Sequence, residues 1–139
     1  MFGSLDTSTS ALTAYRTQMD VIAGNIAMKD VTRDESGQPN PYRRRVALLG
    51  LGEASREKNP LGVRVVNIVE DSAPFGLRWE PGHVDAMKSG PQKGYVRTSN
   101  VDMHTEMVNA IAAARAYEAN ITVAEMAKRM ASTALTLLA

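Results

Sequence analysis

The 139-residue sequence predicts an α+β fold that is predominantly helical, with long N- and C-terminal helices packing as a coiled coil around a small strand-rich central insertion. Three observations predict it. Apolar residues recur at alternating spacings of three and four near each end. Glycine and proline gather between the two ends, and the best β-type run lies among them. The segments run over residues 1–29, 30–98 and 99–139.

Near the start, one stripe reads Leu5, Ser8, Leu12, Tyr15, Met19, Ile22 and Ile26, a heptad seam with one polar interruption. Ser4 and Asp6 are the candidates to cap it. The stretch from Asp30 to Pro41, with Gly37, Pro39 and Pro41, ends it. A helix of about 25 residues, roughly 37 Å long, follows. At the other end, Met103, Met107, Ala110, Ala114, Tyr117, Ile121, Ala124, Lys128, Ala131, Leu135 and Leu138 keep the same alternation, and only Lys128 breaks the stripe. Neither glycine nor proline occurs after Tyr95, and Ala, Met, Glu, Lys and Arg are strong helix formers. This predicts a helix of about 35 residues, on the order of 50 Å.

A helix of that length needs a partner along most of it. The shorter N-terminal helix covers only part, so an apolar edge remains for other molecules. The expected assembly interface is Leu5, Leu12, Tyr15, Met19, Ile22 and Ile26 from the first helix, with Met107, Ala110, Ala114, Tyr117, Ile121, Ala124, Leu135 and Leu138 from the second. Alanine at many of these positions lets helices approach closely but buries little area, at about 25 cal/mol per Å². A firm assembly then needs many contacts. The same stripes are also compatible with an ordinary helical hairpin whose core is internal.

In the middle, Tyr42 to Leu49 and Val63 to Glu70 read as strands. Phe75 to Glu80 is expected to pair with the second of these after a turn at Asp71 to Pro74, and Tyr95 to Arg97 is a weaker fourth.

Composition narrows the function classes. Sixteen basic residues against fifteen acidic ones leave a net charge of +1, unlike a general binder of nucleic acid or anionic membrane. The absence of cysteine removes disulfides, thiolate metal sites and cysteine nucleophiles. Met1 to Ser10 has neither the basic nor the apolar part of a Sec signal, and no run of about 18 apolar residues predicts a membrane span. Aromatic side chains are few, which shifts packing onto small and flexible residues.

Catalytic patterns are missing. His83 and His104 have no second ligand at metal spacing and read as a turn residue and a helix-surface or packing residue. Gly50, Gly52 and Gly62 lack the strand-to-helix context of a phosphate loop. Glu70 and Asp71 point to opposite faces if the strand continues, a poor arrangement for an acid–base pair. No serine lies in a GxSxG elbow. Arg43, Arg44 and Arg45 read as a solvated or subunit-contact face rather than a phosphate site. No cofactor or metal is expected, and no enzymatic activity.

The motifs carry a resemblance. Ser10-Ala11-Leu12-Thr13-Ala14, Met19-Asp20-Val21-Ile22-Ala23 and Asn25-Ile26-Ala27 resemble the N-terminal signature of the flagellar axial proteins, which form the rod, hook and related segments. Pro41-Tyr42-Arg43, Gly62-Val63-Arg64-Val65, Glu70-Asp71 with Pro74, Glu80-Pro81-Gly82-His83 and Gly94-Tyr95-Val96 follow in the order of the proximal-rod members. Asn100-Val101-Asp102, Glu106-Met107-Val108 and the stretch Ala113 to Asn120 complete the match over nearly the whole chain. Two departures stand out: Met28-Lys29-Asp30-Val31 replaces the family's usual Asn and polar run, and Ser99 stands where the family often has proline.

The resemblance implies a structural subunit of the basal-body rod in the periplasm. It implies export through the flagellar type III apparatus, termini that order on incorporation, and partners that are further copies and other rod proteins. A distal-rod or hook-junction protein and a stand-alone helical adaptor are the alternatives, with a small hydrolase or nucleotide-binding domain behind them.

Overall fold

The computed structural model describes residues 2–52 and 62–138. Among these residues two helices, α1 (Phe2–Met28) and α2 (Met103–Leu138), enclose four strands in sequence order: β1 (Arg45–Leu51), β2 (Val63–Glu70), β3 (Gly76–Trp79) and β4 (Tyr95–Thr98). The architecture is α+β, with terminal helices around a small insertion of two two-stranded sheets.

Helix α1 begins at Phe2, so Ser4 and Asp6 lie inside it rather than at its cap. Its first half is rich in Ser and Thr, which hold a helix weakly because their hydroxyls compete for backbone partners. Here Thr7, Thr9, Thr13 and Thr17 each donate to the carbonyl four residues earlier. The helix ends before Lys29, and Val31 N–H donates to Met28 O to close the last turn.

Helix α2 starts on a well-formed cap. The Asp102 carboxylate accepts from the backbone N–H groups of His104 and Thr105 and from the Thr105 hydroxyl at 2.6 Å. These donors hold the Asp102 carboxyl below the ordinary 3.8, the Thr105 hydroxyl foremost. Ser99, in the family's proline position, is buried and accepts from Val101 N–H, a side-chain turn that leads into the cap.

The two helices pack antiparallel along most of α1, and the β1–β2 hairpin lies against α1. Val63 N–H donates to the Ser10 hydroxyl, which pins β2 to that helix. Small side chains dominate the buried apolar residues: Ala11, Ala14, Ala113 and Ala127 in the helices and Ala47 in β1, with Ile22 and Val96 the larger apolar ones among the described residues. Alanine contacts bring helix axes close and remove little apolar area from water per residue.

Strand β2 spans the expected residues, whereas β1 starts at Arg45 rather than Tyr42. A register shift between Leu48 and Leu49 marks a bulge in their antiparallel ladder. Strand β3 does not join β2 as its sequence position suggests; it pairs with β4, from Gly76↔Thr98 to Trp79↔Tyr95. The reason lies in the turn between β2 and β3, where the carbonyls of Asp71 and Ala73 are taken by the Arg43 and Asn100 side chains, so the chain leaves the first sheet. Gly94 enters β4 at φ +84°, and a Cβ there would stand 2.5 Å from the Trp79 ring. Glycine is required on both counts. Trp79 and Tyr95 then meet edge-on with centroids 5.0 Å apart.

Candidate functional site

Helix α2 presents two apolar edges, and α1 covers one. The stripe that α2 turns inward is buried at Glu106, Ala113 and Ala127, each one residue before the expected seam positions Met107, Ala114 and Lys128. At 100° per residue this sets the most buried stripe about 100° round the helix from the seam positions it precedes. Ala110, Ala114, Tyr117 and Ala124 are half-buried. Met107, Ile121 and Leu135 are 52%, 37% and 69% exposed, and Val108, Ile111, Met126, Met130 and Leu137 are exposed beside them. Leu138 ends the helix, and its side chain lies outside the described residues. On α1, Ile22 is buried, while Leu5, Leu12, Tyr15, Met19 and Ile26 are half-buried; Ser8, the polar interruption, is buried as well.

One polar cluster fixes the helices to each other and to the insertion. Asn25 of α1 is buried and donates from Nδ2 to Glu106 Oε2 at 2.9 Å and to the Arg45 carbonyl at 2.8 Å. Its Oδ1 accepts from Arg45 N–H and from the Tyr42 hydroxyl. The Glu106 carboxylate is fully buried, and its second oxygen accepts from Arg44 Nε at 2.7 Å. Arg44 also reaches Asp71 at 3.1 Å, while its backbone N–H donates to Asn100 Oδ1. Asp71 accepts from Ala73 N–H and from Arg44, and both hold its carboxyl below the ordinary 3.8, the Ala73 bond foremost.

The cluster satisfies the rule that a buried charge needs both a counter-charge and hydrogen bonds. Four elements meet there: α1, the entry to β1, the turn after β2, and α2. A second anchor ties the loop after α1 to the turn after β3. Asp85 accepts from Arg33 Nε at 2.8 Å and from the Thr32 hydroxyl, and its carboxyl is held below the ordinary range chiefly by Arg33.

The arginine triplet therefore reads differently in three dimensions. Arg44 is an internal ion-pair partner, and Arg43 lies over the Phe75 ring at 4.4 Å while donating to the turn after β2. Arg45 alone remains exposed. Asn25, Asn100 and Glu106 escaped the sequence reading as structural residues. The available signal was positional: Asn25 follows Ile22 by three and Glu106 precedes Ala110 by four, which places one polar residue of each helix on a packed stripe.

His83 lies in the turn after β3, with its Nδ1 accepting from Asp85 N–H, and His104 is exposed in the first turn of α2. Among the described residues no group of three or more His, Cys, Asp or Glu is placed to hold a metal ion, and no helix is long and apolar enough to cross a membrane.

This geometry of long flanking helices and a pinned insertion has known counterparts. Residues 92–137, which include all but the end of α2, match the family model described as the C-terminal region of flagellar basal body rod FlgEFG proteins. Similarity to curated proteins covers almost the whole chain. The flagellar basal-body rod protein FlgC of Borreliella burgdorferi is 38% identical over 99% of this chain and 97% of its own length. That of Bacillus subtilis is 40% identical over 96% and 95%, and that of Salmonella typhimurium 37% over 95% and 93%.

The chain belongs to the FlgC-type flagellar basal-body rod protein family. As a family member it is a structural subunit of the basal body and not an enzyme. The near-complete coverage at both ends favours this branch over a distal-rod or hook-junction protein. The polar cluster described above falls on the motif residues Asn25, Asn100 and Glu106.

Proposed function

We propose that this chain builds the rod by coupled folding and assembly, in which the apolar edges of α1 and α2 complete a coiled-coil layer with neighbouring copies and other rod proteins. The observation that carries the reading is the outward edge of α2, where Met107, Ile121 and Leu135 remain exposed beside a seam closed mainly by alanine. Ordering the backbone costs roughly 1 to 2 kcal/mol per residue, and alanine contacts within one chain offset that weakly. Neighbours supply the missing apolar burial. The termini are accordingly marginal in the free subunit and firm in the assembly.

Marginal ends also suit passage through the flagellar type III export apparatus as an unfolded chain, followed by ordering in the periplasm. In the assembled rod, load passes between subunits across many modest interfaces, and the strand insertion makes contacts further from the axis. The assembly interface comprises the expected seam residues of both helices together with the exposed α2 edge.

The test is complementation of a non-motile strain lacking the native subunit. Leu12→Asp or Ile121→Asp is expected to leave export intact and to abolish incorporation and swimming. Swimming cells with normal rods would refute the reading. Limited proteolysis with circular dichroism on dilute subunit adds a direct check, since fully protected termini at micromolar concentration are the signature of a self-contained adaptor.

A further inference from the structure

Helix α1 carries a second polar side chain near the face that binds α2 and β1. Gln18 stands seven residues before Asn25, two helical turns away and within about 20° of the same line along the helix. Its Oε1 is buried and accepts no hydrogen bond among the described residues. A buried acceptor without a donor is costly, and native folds answer it with a protein group or with ordered water.

Gln18 borders a small cleft of about 40 Å³ where α1, β1 and α2 meet, lined also by Ile22, Ala47, Arg44, Glu106 and Asn109. A water needs about 10 to 15 Å³ of such space, so the cleft takes one and at most about three. The lining selects the occupant. The Glu106 carboxylate repels an anion, the Arg44 guanidinium repels a metal ion or an ammonium group, and an apolar occupant leaves Gln18 Oε1 without a donor. Water meets none of these objections. It also finds further partners, because the half-buried Asn109 amide makes no hydrogen bond among the described residues. Arg44 holds Glu106 and Asp71 through Nε and Nη1, so its Nη2 keeps both hydrogens.

We propose that this cleft is a specific site for an ordered water that donates to Gln18 Oε1 and bonds the Asn109 amide, a second tie between α1 and α2 on the N-terminal side of Asn25. Asn25 reaches Glu106 directly, whereas Gln18 reaches α2 through solvent. Polar groups on a packed helix face fix its register, because a slip of one turn parts each donor from its acceptor while an apolar face repacks. Two such groups seven residues apart hold α1 at two points, which sets its direction as well as its height against α2 and β1. These ties lie within one chain and hold whether or not the rod reading does.

The sign of one substitution tests the site. Gln18→Met keeps the length and bulk of the side chain and removes the acceptor. Removing an oxygen that has no donor relieves a liability and raises the melting temperature of the purified subunit. Removing a bridged oxygen takes the water's ties with it, and the expected result is a fall of about 2 to 8 °C. Asn109→Leu is expected to lower it likewise. The double variant should then lose no more than the larger single loss, since both side chains hold one water.

A rise in Gln18→Met, or two losses that simply add, overturns the site. A crystal structure of the native chain at a resolution that shows ordered solvent reads it directly, and decides alone if either variant fails to fold. Solvent density within about 3.2 Å of both the Gln18 and Asn109 amides supports the site. A cleft without such density, or a Gln18 amide bonded straight to Asn109, overturns it.

Discussion

The two ends of α2 are built on opposite principles. Its start is capped by Asp102 and locked by Glu106, whose buried carboxylate answers Asn25 and Arg44 with bonds of 2.9 and 2.7 Å. Its end, among the described residues, exposes Leu135 and Leu137. Buried polar bonds are directional and tolerate one geometry, whereas apolar contact is roughly proportional to area and tolerates many. The first end sets how helices and insertion are oriented. The second is left adhesive. A subunit that must hold its own shape and yet join others gains by keeping these tasks a helix-length apart.

The strongest way to break this contrast is Glu106→Leu. It leaves Arg44 without its nearest counter-charge and takes one of the two acceptors from the Asn25 amide, at a cost of about 3 to 5 kcal/mol by analogy with other broken buried pairs. Chemical denaturation of the purified subunit measures it. A loss below about 1 kcal/mol would show that the cluster does not control the fold.

Next in size is Gly94→Ala, which combines a left-handed backbone with a clash against Trp79. The expected cost is about 1 to 3 kcal/mol, concentrated in the β3–β4 ribbon. Trp79 is the sole tryptophan, so its fluorescence reports the change without interference.

The pH dependence sharpens the same end of the comparison. The carboxyls of Asp71 and Asp102 are depressed in the folded chain, by the Ala73 N–H and the Thr105 hydroxyl foremost. Their stabilisation is fully present above the ordinary value of 3.8 and is lost as pH falls through the folded values below it. Denaturation midpoints are therefore expected to show no loss from these two groups between pH 7 and about pH 5 and a decline below about pH 4.

Smallest for the fold is Leu135→Asp, expected to shift subunit stability by no more than about 0.5 kcal/mol because the side chain is already exposed. Swimming of complemented cells should nonetheless fall. A large stability loss with normal swimming would reverse the roles assigned to the two ends.

Much of this was legible in the residues. Uninterrupted helix formers from Met103 onward and the breakers after Met28 marked both helices, and β-branched alternation marked Val63 to Glu70. What stayed hidden depends on partners far away in sequence. Tyr42 and Arg44 fall out of β1 because the Val31 carbonyl and the Asn100 side chain take their backbone N–H groups, and β3 turns to β4 because the Asp71–Ala73 turn is held by Arg43 and Asn100. The Asn25–Glu106 bond joins residues 81 apart. Periodicity locates a seam to within one residue. Which of two neighbouring stripes faces inward was decided by Glu106 binding Asn25, at a position that a heptad of apolar letters passes over.

The threonines of α1 carry a last consequence. Thr7, Thr9, Thr13 and Thr17 spend their hydroxyl protons on the helix's own carbonyls. Thr9, Thr13 and Thr17, four residues apart, share one face, and a neighbour laid against it meets hydroxyl groups whose donors are already quenched, so covering them orphans no proton and removes water only from their acceptor lone pairs. A surface that looks hydrophilic in its lettering thus offers an incoming helix acceptors and methyl groups and makes no demand for an acceptor in return.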